Sequence, residues 1–106
     1  MILEKKNNFT YLSFSKDDEK SVVFERLNAI KKNPDNLIID LKSKLINKED
    51  LILSFRKYSS FWKKKNKSFI LVVNESLFDL FKDIVCVPTV QEAVDYLYME
   101  ELERNV

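Results

Sequence analysis

The sequence predicts an α/β fold: a mixed, mostly parallel five-stranded sheet flanked by four helices. Three observations carry this prediction. Short apolar runs alternate with longer segments whose apolar residues recur at helical spacing, the pattern of parallel strand–helix–strand crossovers. The chain opens instead on two short alternating runs with a brief polar connection, which reads as an antiparallel hairpin. The third is size and composition: 106 residues, 45% hydrophobic and 33% charged, with a net charge of +1. That suits one domain, 1–106, whose folding buries roughly two-thirds of the extended-chain surface.

The elements follow in the order β-β-α-β-α-β-α-β-α. Ile2–Lys5 and Phe9–Phe14 are the hairpin strands, joined by Lys6-Asn7-Asn8, where asparagine tolerates positive φ. Period-2 alternation sends Phe9 and Tyr11 to one face and Thr10 and Leu12 to the other. Ser15 to Glu19 supply cap and first-turn residues for a helix carrying Val23, Leu27 and Ile30 on one face, ended by Asn33-Pro34-Asp35. Leu37–Leu41 reads as a buried parallel strand. Asn47 caps the next helix, with Glu49 and Asp50 at its positive dipole end. Leu51, Phe55, Tyr58 and Trp62 form its apolar stripe, and Lys63-Lys64-Lys65 close its last turn. Ser68–Val73 is the strongest strand. A short helix over Glu75–Lys82 and a strand over Ile84–Val87 follow. Thr89-Val90-Gln91-Glu92 is a capping box opening a final helix with Val90, Ala93, Val94 and Leu97 inside. Its charged end covers about 98–106.

Absences exclude most chemistry. Without histidine there is no Ser-His-Asp triad, Cys-His pair or imidazole metal site. Without glycine there is neither a P-loop nor a GxGxxG dinucleotide turn. The single cysteine, Cys86, sits in the apolar run Ile84–Val87 and reads as a small buried hydrophobe. Carboxylate pairs such as Asp17/Asp18 and Glu100/Glu101 fall at helix ends, where nothing raises a pKa. Asp40 ends a parallel strand without an evident partner and reads as a loop cap. No enzyme activity, metal or cofactor is expected. The N-terminus lacks the apolar core of a signal peptide, and no run approaches the ~18 residues of a membrane span, so a cytoplasmic location is expected.

This order, with Ile38-Ile39-Asp40-Leu41 leading through a loop into a helix N-terminus at 47–51, the strand Phe69–Val73 and the closing segment Val87–Ala93, resembles the STAS domain. That is the fold of bacterial anti-sigma factor antagonists and of sulfate-transporter tails. The resemblance implies a regulatory module that binds another protein. It also departs from the family at one place. Antagonists usually carry Asp-Ser-Ser-Gly at the loop-to-helix junction, with a serine phosphorylated by a partner kinase. Here Asn47-Lys48-Glu49-Asp50 stands there, so a fixed docking surface without a serine phosphoswitch is expected at these four residues. Ser43 and Ser54 are the nearest hydroxyls. The ending Tyr98–Arg104 is also similar to short STAS-like bacterial proteins encoded beside ribonuclease Z genes.

Two charged segments stand out. Arg56, Lys57, Lys63, Lys64, Lys65 and Lys67 are six cations interleaved with Tyr58, Phe61 and Trp62. Basic side chains neutralise phosphates and exposed aromatics stack on bases, so an accessory RNA-binding role is the alternative reading. The competing one is a solvated helix end over a core stripe, and it predicts a buried Trp62. From Glu92 to Arg104 the chain is acidic, which gives it a basic and an acidic end and permits self-association. Tyr96, Tyr98, Met99 and Leu102 form a candidate docking face or pack on the chain's own sheet. A small-molecule or lipid site in the sheet crevice rests on fold analogy alone.

Overall fold

A computed structural model describes residues 1–42 and 49–105, with side chains of the second long helix from Ile52 onward. Five strands form one sheet in sequence order: β1 (Ile2–Lys5), β2 (Thr10–Ser13), β3 (Leu37–Asp40), β4 (Phe69–Val72) and β5 (Val85–Val87). β1 pairs antiparallel with β2, and every later pairing is parallel, with Leu12 beside Ile39 and Ile39 beside Leu71. The helices are α1 (Lys20–Lys31), α2 (Glu49–Lys64) and α3 (Val90–Arg104), with a 3-10 helix at Glu75–Phe81 between β4 and β5.

A sheet that grows in one direction through crossovers of one hand collects all its crossover helices on one face. Side chains of α1, α2 and the 3-10 helix accordingly share one core with Leu12, Phe14, Leu37, Ile39, Leu71 and Val73. The opposite face would be bare without α3, which packs Ala93 and Leu97 on Phe9, Ile38, Ile70 and Val72. Leu37 to Ile39 and Phe69 to Val72 are therefore buried on both faces, which is why they read as continuous apolar runs.

Local signals account for most boundaries. Thr89 caps α3, its hydroxyl accepting from the Glu92 amide at 3.1 Å. α2 ends in a Schellman motif: the Lys67 amide donates to the Trp62 carbonyl and the Asn66 amide to that of Lys63, both at 3.0 Å. This motif needs a left-handed residue, and Asn66 has φ 57°. In a chain without glycine, asparagine is the residue that takes this conformation at least cost.

Three expectations change. Glu75–Phe81 winds as 3-10 rather than α. α1 starts at Lys20, with Glu19 as an N-cap that makes no side-chain cap bond. Asp18, expected near the first turn, closes the preceding turn instead, accepting from the Ser15 amide at 2.8 Å. On the stripe of α2, Phe55 and Trp62 are buried and Tyr58 packs half-buried against the same core, its hydroxyl donating to Asn28 Oδ1 of α1 at 2.7 Å. Leu51 lies outside the described side chains.

The N-terminal ends of the strands are locked by Asn36, which is buried. Its amide nitrogen donates to the Asn8 carbonyl at 3.0 Å and to Glu101 Oε1 at 2.7 Å. Its Oδ1 accepts from the Ser68 amide at 2.8 Å and from Arg104 at 3.3 Å. One side chain thus joins the hairpin, β4 and the end of α3.

Candidate functional site

At the C-terminal ends of the parallel strands, Asp40 sets the start of the junction. Its Oδ2 accepts from the Tyr11 hydroxyl at 2.9 Å and its Oδ1 from the Lys42 amide at 3.1 Å. Burial, reinforced by this carboxylate, raises the Tyr11 phenol above its ordinary pKa. Of the four junction residues, Asn47 and Lys48 lie outside the described residues. Glu49 and Asp50 are described as the opening backbone of α2, where a negative charge meets the positive end of the dipole.

One turn further, α2 and the 3-10 helix enclose a groove of about 400 Å³ lined by Ile52, Leu53, Arg56, Asp79, Leu80 and Lys82. The two walls are tied from beneath. Phe55 and Phe81 are buried and meet edge-to-face at 6.2 Å between ring centroids. Fixing those rings inward turns Leu53 and Leu80 outward, 54% and 39% exposed. An apolar centre with charged residues around it has the anatomy of a protein-binding patch. Neither leucine carries a sequence signal, because the groove forms only when residues 27 positions apart are brought together.

The basic segment splits. Arg56 lines this groove, whereas Lys63, Lys64, Lys65 and Lys67 are gathered at the far end of α2; Lys57 is exposed between them. Trp62 is fully buried and its indole N–H donates to the Asp35 carbonyl at 2.7 Å. Tyr58, Phe61 and Phe69 surround it at 5.4–6.4 Å. Phe61 is half-buried with Lys31 and Lys65 over its ring, 4.6 and 5.6 Å from the centroid. Trp62 therefore presents no face for base stacking. The acidic end lies at the same pole as the basic one, since Glu101 and Arg104 line a cleft with Asn66 and Lys67. Tyr96, Tyr98, Met99 and Leu102 are exposed, and Tyr98 lies beside Lys5 and Phe9 of the hairpin.

Cys86 is half-buried, and burial pushes its thiol up to about 11, the opposite of what a nucleophile needs. Asp18 is lowered by the Ser15 amide it accepts from. Among the described residues no group of three or more His, Cys, Asp or Glu could hold a metal ion. Among them, too, no helix is long and apolar enough to cross a membrane.

No family model and no curated protein matches the sequence. Solved structures do match its fold. A serine-to-glutamate variant of RsbS from Moorella thermoacetica superposes with a TM-score of 0.65 at 16% identity, covering 91% of this chain and 95% of that one. A structure described as the molecular architecture of the stressosome, a signal integration and transduction hub, gives a TM-score of 0.66 at 14% identity. It covers 92% of this chain and 96% of that one. Both are STAS-domain proteins. The hairpin, the three parallel crossovers on one face and the closing helix on the other are, in this chain as in those, the STAS fold.

Proposed function

We propose that this chain is a non-enzymatic regulatory module that works by binding another protein, without a serine phosphoswitch. The observation that carries the reading is the Leu53–Leu80 groove, held open by the Phe55–Phe81 contact and adjoining the junction. The junction sequence Asn47-Lys48-Glu49-Asp50 offers a kinase no hydroxyl. Either of its acids, Glu49 or Asp50, carries permanently about half the charge that a phosphate would add. Docking through the junction and the groove together is then constitutive. One solved neighbour is described as the stressosome, a signal integration and transduction hub, which supports a protein partner and the company of further copies.

The test is to capture a partner from the native cytosol, purify it, and measure its affinity for the wild type, Leu53→Asp and Glu49→Lys. Leu53→Asp should weaken binding at least about tenfold, by losing an apolar anchor of ~1.5 kcal/mol or more. Glu49→Lys should cost ~1–3 kcal/mol of binding if that acid meets a buried basic group. Through the helix dipole it should cost folding only ~0.3–1 kcal/mol. Unchanged affinity in both variants, with normal melting, refutes docking at this surface.

The second reading, RNA binding by the basic end of α2, is favoured by one observation. Lys31 of α1 joins Lys65 over Phe61, enlarging the cationic surface beyond the segment 56–67. It requires micromolar affinity that falls steeply with salt and is lost in Lys63→Glu/Lys65→Glu.

A further inference from the structure

On the sheet face that carries α1 and α2, β1 is exposed along its length, and a concavity lies between it and α1. The β1–β2 register sets Leu3 beside Leu12 and Lys5 beside Thr10, on this same face. The groove between β1 and α1 measures about 460 Å³, within the range of small-molecule sites. Its apolar floor includes Leu3 and Ile30. Into it converge Lys5 from β1, Arg26 from α1 and Lys67 from the turn after α2, with Asp35 the acid among its lining residues. Lys67 is placed there by the Schellman motif, whose two amide bonds and left-handed Asn66 fix the turn.

These cations form no ion pair among the described residues. Among the described residues the ion pairs are Met1–Asp18 and Lys6–Glu4, and neither involves Lys5, Arg26 or Lys67. Three positive charges less one negative charge leave the groove at +2, reduced to about +1.5 by the carbonyl end of α1. A phosphomonoester carries about −1.5 to −2 at neutral pH. Arginine adds a planar fork matched to phosphate oxygens. A bare inorganic anion would leave the apolar floor unused, and a flat membrane surface would not enter a recess walled by a strand and a helix.

We infer that this groove binds a small organic phosphomonoester, with its phosphate held by Lys5, Arg26 and Lys67 and its apolar body lying on Leu3 and Ile30. The site is separate from the Leu53–Leu80 groove, and binding there does not depend on a protein partner. The test is titration of the isotope-labelled full chain with phenyl phosphate, inorganic phosphate and anionic phospholipid vesicles, followed by amide shifts. Phenyl phosphate should give saturable shifts centred on Lys5, Arg26 and Lys67, and bind at least about tenfold tighter than inorganic phosphate. Arg26→Gln/Lys67→Gln should weaken it at least about tenfold, and Lys63→Gln/Lys64→Gln should leave it unchanged. Arg26 is exposed, and the same spectra report whether each variant is folded. The inference is overturned by absent shifts up to about 10 mM phenyl phosphate. Equal affinity for inorganic phosphate, indifference to the groove variant, or vesicle binding centred on residues 63–65 overturns it equally.

Discussion

Replacing Asn36 with alanine should destabilise the protein more than any other single polar substitution at the N-terminal edge of the sheet. The side chain makes four hydrogen bonds, and their loss is unequal. Glu101 and Arg104 can turn to water, and the Asn8 carbonyl lies in an exposed turn, so each forfeits only a net ~0.5–1 kcal/mol. The Ser68 amide cannot escape, because Ser68 is buried. An orphaned buried donor costs ~1–3 kcal/mol. The sum is about 2.5–6 kcal/mol, which for a domain of this size lowers the melting temperature by at least roughly 10 °C. Urea unfolding of Asn36→Ala beside Arg104→Ala checks the division, since the arginine variant keeps Asn36 on Ser68 and should lose ~1 kcal/mol or less. An Asn36→Ala protein within ~1 kcal/mol of wild type would refute the reasoning, by showing that water reaches the Ser68 amide.

Other predictions concern single groups. Trp62, the chain's one tryptophan, is fully buried, so its fluorescence should resist acrylamide quenching until the protein unfolds; ready quenching in the native state would contradict the packing and favour the RNA reading. Trp62→Phe should cost ~1.5–3 kcal/mol in urea unfolding by losing the bond to Asp35 and leaving a small void. Cys86 is raised by burial from 9.0 to about 11. Between those pH values the unfolded thiol has lost its proton while the native one keeps it, so native stability falls as pH rises through that window. Cys86→Val should flatten this part of the stability–pH curve, and an identical slope in both proteins would show that the thiol is solvated.

Much of the fold was legible because local and tertiary demands agree. Leu37–Ile39 and Phe69–Val73 are apolar on both faces because the sheet is covered on both sides. Thr89 announces α3 through a cap that the structure retains. Where the reading failed, the competing signals were local and nearly equal. Leu77, Phe78 and Phe81 suit either three or 3.6 residues per turn over so short a stretch. Asp18 can cap a helix or close a turn on Ser15, and the turn prevails. The sites were less legible than the fold. Leu53 and Leu80 look like ordinary helix residues, and Asn36 is matched by groups 65 and 68 positions away. The cations of the β1–α1 groove come from three separate elements. Arg56 and Lys57 read as continuous with Lys63–Lys67, since a sequence run does not show that Arg56 turns toward the 3-10 helix while the lysines gather at the helix end.

The central claim is that a protein partner docks at the junction and on the groove between α2 and the 3-10 helix. Hydrogen exchange of the purified chain, alone and saturated with its captured partner, tests it most directly. The account predicts new protection over Glu49–Arg56 and Glu75–Lys82, where α2 opens and the 3-10 helix faces it. Protection confined to residues 63–67 or to Tyr98–Arg104, with those two segments exchanging as in the free chain, would contradict it.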